Sequence, residues 1–425
     1  MTIRKGLAWA CAPIAFALLC GTAQAQTVVT MMHVEQGKPT TDAWEKIAAD
    51  FEALNPGVDV QIQYLENEAF KAKLPTMLQS NERPDIFYSW GGGVLKEQST
   101  TGAIVDLTAA MDADGGAWRN SFSQGMFAGL MCDGKVWAVP YKTGNMAIFY
   151  NKEQFAKAGV DAAAITTWDQ LIDGVKKLKE AGLTPLACGG GDKWPIHHWY
   201  GYLIMRNGGQ DAFEAAKRGE GDGFAADFVV KAGQNLRQLG ELEPCQPGHL
   251  AAKWPEALGV FADGKAAMIL GFEATYQNQK TNAADDVGLA YENLGRLPFP
   301  MVEGGAGNPA DTLGRLNGWA VSTGAEPEAI EFLKFFNNKD NQAYLASQGL
   351  IVPVAIGAES ALTDELMRAS AEQVAAAPWH QNFLDQDLGP SVGRVVNDVS
   401  VEIFEGNMSP EDGARAIQDE ASLSM

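Results

Sequence analysis

Two short segments of the sequence place a tryptophan beside a run of glycines. Trp90 precedes Gly91-Gly-Gly93, and Trp194 closes the run Gly189-Gly-Gly-Asp-Lys-Trp194. Glycine has no side chain, so a bound molecule can approach the backbone closely, and an indole ring offers it a flat apolar face. Glycine triplets can also cradle phosphate, but neither run continues as Gly-Lys-Ser or Gly-Lys-Thr, which argues against a nucleotide loop. Both segments are therefore candidate parts of a ligand-binding site.

Charged side chains near the predicted strand ends are the second chemical feature. A hydrogen bond to a charged group is about twice as strong as one between neutral groups. Five such groups are candidate polar contacts, although charged residues are more often simply solvated: Glu35, Lys142, Lys193, Glu273 and Asp385. The adjacent pair His197-His198 suggests a metal site, but neighbouring histidines point apart and no acidic or cysteine spacing completes one. We therefore predict no metal and no cofactor.

The N-terminal part of the sequence alternates strand and helix patterns. Thr27 to Val34 is an apolar run, Val58 to Leu65 alternates, and Pro84 to Trp90 gives a third strand. Between them we predict helices beginning at Asp42, through a capping box with Glu45, and over residues 68–79. This order predicts a parallel sheet. Ligands of such sheets bind beyond the carboxyl ends of the strands, where Glu35-Gln36 and Trp90 are expected to lie.

Three interrupted apolar segments suggest connections between two domains. In the first, Pro140 and Gly144 separate the apolar runs Val136 to Val139 and Met146 to Tyr150 and are predicted to break a strand. The other two are Leu297-Pro-Phe-Pro300 and Gly349-Leu-Ile-Val-Pro353. The chain of 425 residues exceeds the size at which one hydrophobic core usually keeps growing, so two domains are expected.

The N-terminus and the composition indicate export. Arg4 and Lys5 precede an uncharged run, too short for a membrane span, and Ala23-Gln-Ala25 supplies the small residues of a cleavage site, so residues 1–25 are predicted to be a signal peptide. Cys20 raises a lipoprotein alternative, against which the preceding Leu19 argues. A formal net charge of −21 excludes nucleic acid as a partner.

The segment from Asp133 to Glu153, read with Pro84-Asp-Ile-Phe-Tyr-Ser-Trp90, resembles extracellular solute-binding proteins of ABC importers, in the sugar-binding branch that includes the maltose-binding proteins. The resemblance implies a two-lobed α/β periplasmic-binding-protein fold of type II, with doubly wound lobes joined by a hinge. One lobe would hold residues 26–143 and 300–350, and the other residues 144–299 and 351–425. It further implies a periplasmic monomer that binds an oligosaccharide between its lobes and delivers it to membrane permease subunits.

In that family a strand ends in Gly-x-Trp, and the aromatic residue stacks on a sugar. Here Ala267-Met-Ile-Leu-Gly-Phe-Glu273 has Phe272-Glu273 instead, and Trp254 is expected to supply the missing surface. Aromatic rings would cover the apolar faces of a pyranose, and charged or amide groups would bind its hydroxyls. The full set of expected contacts is Glu35, Gln36, Trp90, Gly92, Lys142, Asn145, Lys193, Trp194, His197, Trp254, Phe272, Glu273, Asn317, Trp319, His380 and Asp385.

Two other functions remain open on the sequence. Paired carboxylates in a wide cleft are also typical of a glycosidase, although no nucleophile elbow or zinc motif occurs. A binding protein for a polyamine or peptide would exploit the negative charge. Cys132, Cys188 and Cys245 follow the predicted leader, and we expect Cys188 to pair with Cys245 because both fall in the same predicted lobe.

Overall fold

The computed structural model of the protein describes residue 2 and residues 26–424. The predicted signal peptide, with Cys20, lies outside the described residues except for residue 2. The strands of the described part are β1 Thr27–His33, β2 Val58–Tyr64, β3 Ile86–Ser89, β4 Met131–Cys132, β5 Lys135–Val136, β6 Val139–Asn145, β7 Ala147–Asn151, β8 Met268–Gly271, β9 Leu294–Leu297, β10 Thr312–Val321, β11 Val352–Pro353 and β12 His380–Asn382.

Helices make up most of the remaining described chain. They are α1 Lys38–Leu54, α2 Asn67–Met77, α3 Gly92–Thr100, α4 Thr108–Asn120, α5 Phe127–Leu130, α6 Lys152–Ala158, α7 Trp168–Glu180, α8 Trp194–Lys217, α9 Asp227–Gly240, α10 Trp254–Ala262, α11 Thr275–Asn282, α12 Pro327–Phe336, α13 Lys339–Ser347, α14 Glu365–Ala376, α15 Leu384–Asp387, α16 Pro390–Phe404 and α17 Pro410–Ser424. Among the described residues, no helix is both long enough and apolar enough to cross a bilayer.

The larger sheet has the strand order β11-β6-β10-β3-β1-β2, and β12 also pairs with β10. Strand β1 runs parallel to both β2 and β3, which confirms the parallel sheet predicted for the N-terminal part. Strand β10 is antiparallel to β3 and β6. We call the part built on this sheet, whose core includes Trp44, Phe87 and Trp319, the N-terminal lobe.

The smaller sheet, β8-β7-β9, is antiparallel throughout. We call the part built on it, whose core includes Trp168, Tyr202 and Phe299, the C-terminal lobe. Residues 184–188 run beside this sheet without forming one of its strands, since Leu186 makes only isolated bridges. Pro185 lacks the N–H that a continuous ladder would need.

The chain crosses between the lobes at single residues inside extended segments. Strand β6 belongs to the larger sheet and β7 to the smaller one, and Met146 alone separates them. Strand β10 contributes Leu313 to the C-terminal core and Leu316 to the N-terminal core. Two cores joined by such crossings confirm the two-lobed α/β fold.

Some local predictions failed for identifiable reasons. Helix α1 begins one turn before Asp42, because Pro39 lies in its first turn, where a fixed φ favours a helix start. Pro140 and Gly144 do not break a strand, since β6 runs through both. Pro140 instead lies beside a bulge in the pairing of β6 with β10, a position at which a missing N–H is tolerated.

The predicted cysteine pairing is confirmed. Cys188 and Cys245 form the expected disulfide. Cys132 is the free cysteine of the described part of the chain.

Candidate functional site

A cavity of about 380 Å³ lies between the two lobes. The N-terminal lobe contributes the residues after β1 and β3, the start of α2 and the middle of β10. The C-terminal lobe contributes the loop before α8, the start of α10 and the residues after β8 and β12. The predicted contacts that line this interlobe cavity are Glu35, Gln36, Trp90, Trp194, Trp254, Phe272, Asn317 and Asp385. The structure therefore gathers these distant residues around one space, and their contact with a ligand stays a prediction.

Aromatic rings of the C-terminal lobe form one wall of the interlobe cavity. The Trp194 ring centroid lies 5.2 Å from that of Trp254 and 5.9 Å from that of Phe272. The Trp254 and Phe272 centroids are 5.3 Å apart. The indole N–H of Trp194 is buried and has no hydrogen-bond partner among the described residues. This wall combines a broad apolar surface with an unused donor.

Trp90 of the N-terminal lobe lies on the other side of the cavity. Its ring is held by edge contacts with Phe70 and Tyr88, each at a centroid distance of 5.5 Å. The Asn382 side chain donates a hydrogen bond to the Trp90 carbonyl at 2.9 Å, which ties this ring to the strand β12. Trp90 also lines an adjoining cavity of about 720 Å³, between α2 and α3 on one side and α16 on the other.

Most acidic groups of the cavity are paired with nearby basic groups. Glu35 Oε1 lies 2.5 Å from Lys142 Nζ. Burial alone would raise the pKa of the Glu35 carboxyl, but the charges of Lys142 and Arg315 outweigh it and lower that pKa. Two further pairs join the lobes across the cleft, at longer distances: Lys71 Nζ to Asp385 Oδ2 at 3.9 Å, and Lys253 Nζ to Glu66 Oε1 at 3.6 Å. Asp192 also lines the cavity, and its carboxylate accepts a hydrogen bond from the Trp254 backbone N–H at 2.8 Å. Most of the acidic charge at the cavity is thus paired with a lysine or arginine.

Half of the predicted contacts do not line the interlobe cavity. Trp319 is fully buried in the N-terminal core, where the rings of Trp44, Tyr88, Tyr141 and Phe336 surround it. The structure therefore corrects its expected place, because Trp44 of helix α1 and Phe336 of helix α12 cover the face of β10 on which it lies.

The remaining seven are held by protein groups. Gly92 faces the backbone of Asp387. Lys193 pairs with Asp398 at 2.6 Å and lines the adjoining cavity instead. Four others are buried behind the cavity: Lys142 against Glu35, Asn145 against Ser370 and Gln373, His197 beside His198, and Glu273 against Arg315. His380 is partly buried and is hydrogen-bonded to Thr312.

Several lining residues were missed from the sequence, among them Tyr88, His198 and Arg315. The place of Arg315 in the cavity lining could have been predicted from the strand pattern. Side chains on a strand alternate between faces, so a residue two positions before the predicted contact Asn317 shares its face. His198 lies next to His197, and the structure brings the second histidine to the cavity where we expected the first.

Acid should destabilise the protein through its buried histidines. Burial lowers the pKa of His33 to about 4, and burial also lowers the pKa of His197 and His198. The unfolded chain binds these protons near pH 6.5, so stability is complete above that pH and falls as the pH drops toward 4. We expect His33 alone to account for a loss of about 2 kcal/mol between pH 7.5 and pH 5.

Urea unfolding at several pH values measures this loss. The variant His33→Gln should show a shallower fall in unfolding free energy below pH 6.5 than the unchanged protein. An equal fall in both proteins would show that His33 does not titrate in this way.

No group of three or more His, Cys, Asp or Glu side chains is arranged to hold a metal ion within the described part of the chain.

Comparison with known proteins identifies relatives of this chain. An uncharacterised ABC transporter extracellular-binding protein of Pyrococcus horikoshii is 25% identical over 238 residues, which cover 54% of this chain and about half, 52%, of that protein. The diacetylchitobiose-binding protein of Streptomyces coelicolor is 25% identical over 393 residues, 89% of this chain and 86% of that protein.

A solved structure from work on xylan utilisation by Caldanaerobius polysaccharolyticus shares the fold, with a TM-score of 0.84 and 24% identity over 92% of this chain and 99% of that one. Residues 37–343 match the family described as bacterial extracellular solute-binding protein. These findings confirm the resemblance seen in the sequence motifs. The chain belongs to the family of bacterial extracellular solute-binding proteins.

Proposed function

We propose that this protein captures a neutral oligosaccharide between its lobes in the periplasm and delivers it, unchanged, to the permease subunits of an ABC importer. The observation that carries the proposal is the pair of aromatic surfaces, Trp90 from one lobe and Trp194 with its neighbours from the other, that face one cavity. Such surfaces suit the apolar faces of pyranose rings, while the amide and charged groups between them suit hydroxyls.

The charge pairing favours a neutral ligand over a polyamine or a basic peptide. Burying an unpaired charge is costly, so a cationic ligand needs a carboxylate in the site that is not already paired with a basic side chain. Asp385 and Glu66 each lie within 4 Å of a lysine, and Glu35 is in contact with Lys142. The carboxylate of Asp192, the other acidic group named in the lining, already accepts a hydrogen bond from the Trp254 N–H. The net charge of −21 is then explained by solubility, which a net charge far from zero favours.

The neighbouring cavity favours a chain of sugars over a single one. Trp90, Lys71, Asp385 and Gln386 border both cavities, so a molecule longer than one ring could leave the first space along this border and enter the second. The diacetylchitobiose-binding relative is named for an oligosaccharide, which supports the same class here.

A hinge between the lobes would let the site open and close. The crossings at Met146 and within β10 are extended segments that can absorb a rotation with little change in either core. We propose that the N-terminal lobe comprises residues 26–143 and 314–350 and the C-terminal lobe the rest of residues 144–425. The boundary expected at residue 300 is moved because Val302 and Leu313 pack in the C-terminal core, whereas Leu316 packs in the N-terminal core. A monomer is sufficient, because both lobes of one chain supply the cavity.

Calorimetry and small-angle scattering test the proposal together. We expect a neutral di- to tetrasaccharide, from a panel based on glucose, galactose, xylose and N-acetylglucosamine, to bind and to reduce the radius of gyration. Chromatography should recover that sugar intact. Binding of a polyamine or peptide in place of every sugar would overturn the assignment, and cleaved sugar formed in proportion to protein concentration would favour the glycosidase.

A further inference from the structure

Arg315 lies at the boundary between the two lobes and also lines the interlobe cavity. It lies on β10, one of the strands that join the lobes, between Leu313 of the C-terminal core and Leu316 of the N-terminal core. Its side chain lines the interlobe cavity, and its guanidinium carbon lies 4.1 Å from the centre of the Phe272 ring. The residue is only 8% exposed, so its orientation is fixed by neighbours from both lobes.

The Arg315 side chain has hydrogen-bonding capacity that the protein does not use. Its Nε lies 3.5 Å from Glu273 Oε2 and is buried without a hydrogen-bond partner among the described residues, while the side chain lines the cavity. A guanidinium carries five N–H donors in a planar fork. The donors at the open end of this fork are therefore available to a molecule in the cavity.

Glu273 is built into the structure as the partner of this guanidinium. It is 1% exposed, and neither carboxylate oxygen has a hydrogen-bond partner in the described part of the chain. Gly144, directly opposite Arg315 in the pairing of β6 with β10, leaves the space that this carboxylate fills. Any side chain at position 144 would overlap the Glu273 carboxylate. A buried carboxylate persists in such a place only if a positive charge compensates it.

We infer that Arg315 is a ligand-binding, specificity-determining residue that donates to adjacent hydroxyls of the sugar, and that Glu273 is a positioning residue that holds its guanidinium against Phe272. This inference rests on the proposed function. Because Glu273 neutralises the guanidinium, the site selects hydroxyl pairs of an uncharged sugar rather than a carboxylate or sulfate group. Glu273 and Phe272 belong to the C-terminal lobe. The Arg315 guanidinium is therefore held against Phe272, in the orientation that binds the sugar, only when the lobes are closed.

Three variants test the inference by calorimetry, with the sugar identified for the unchanged protein and its monodeoxy analogues as probes. Arg315→Lys keeps the charge but loses the planar fork. We expect it to bind the sugar about tenfold to a hundredfold more weakly, since a hydrogen bond to a charged group is lost. It should also lose discrimination against one particular deoxy analogue, because the hydroxyl missing from that analogue no longer has a partner.

Glu273→Gln should weaken binding and reduce the same discrimination, yet add little when combined with Arg315→Lys, because both changes act on one guanidinium. Arg296→Lys is the matched control. That arginine is also close to the crossings, but its hydrogen bonds go to Asn145 and Gln373 and it does not line the cavity. Its substitution should leave the order of preference among the analogues unchanged. Thermal unfolding of each variant verifies that it is folded.

The outcomes separate this inference from the proposed function. Binding of a sugar by the unchanged protein, with unchanged affinity and discrimination in Arg315→Lys, overturns the role of Arg315 alone. Fully additive effects of the two substitutions overturn the positioning role of Glu273. If the unchanged protein binds no sugar, the proposed function and the inference both fail.

Discussion

Replacing Trp194 by alanine is expected to weaken binding of the sugar by about 2 kcal/mol or more, roughly 30-fold, which calorimetry measures directly. The indole forms the centre of the aromatic wall, in contact with the rings of Trp254 and Phe272. Its removal takes away the surface on which a sugar ring would rest and the buried N–H that no group in the described part of the chain accepts. Little of the fold should be lost, because the residue borders an open cavity.

Two further variants sharpen this test. Trp194→Phe restores an aromatic face without the N–H, so it should recover part of the affinity. Trp118→Ala is the matched control, since Trp118 packs beneath Lys334 in the N-terminal lobe and does not line the cavity. Unchanged affinity in both Trp90→Ala and Trp194→Ala would contradict the placement of the ligand between these rings.

Local sequence patterns predicted the parts of this fold whose causes are local. The apolar run of β1 and the alternation of β2 reflect burial on a sheet, and both strands form where they were predicted. Trp90 and Trp194 were found because each adjoins a glycine run at the end of a strand or the start of a helix. In these cases, a few neighbouring residues contain the whole physical reason.

Other features depend on contacts between distant parts of the chain, which a single sequence does not reveal. Gly144 was interpreted as a strand breaker, but it lies within β6 and makes room for Glu273, a residue far along the chain. Lys142 and Glu273 were expected to touch the ligand, whereas each supports a lining residue instead. Charged residues at strand ends thus marked the neighbourhood of the site, and only the fold shows which of them face the cavity.

Strand β10 is a second case in which contacts between distant parts of the chain decide which residues line the cavity. Arg315, Asn317 and Trp319 share one face of this strand, so the prediction of a contact at Asn317 implied the other two equally. The cavity ends at Asn317, because beyond it the aromatic cluster around Trp44 covers the strand. The point along β10 at which helix α1 stops covering the strand depends on tertiary packing. For this reason the sequence predicted a ligand contact at Trp319 and missed the one at Arg315.

Replacing Trp319 by alanine is accordingly expected to reduce the free energy of unfolding by about 3–5 kcal/mol, the usual cost of deleting a large buried aromatic side chain. The ring centroids of Tyr88 and Tyr141 lie 5.3 Å and 5.2 Å away, so no solvent-filled space is at hand to accommodate the loss. Urea unfolding, followed by tryptophan fluorescence and by circular dichroism, measures the change in the N-terminal lobe.

The same variant separates a packing role from a binding role. Under conditions in which Trp319→Ala remains folded, its affinity for the sugar should stay close to that of the unchanged protein, because the residue does not reach the cavity. Trp319→Phe should cost less stability, since most of the ring contacts with Trp44 and Phe336 can be kept. A Trp319→Ala protein of normal stability that no longer binds sugar would place this side chain in the cleft and contradict the aromatic cluster described for the N-terminal core.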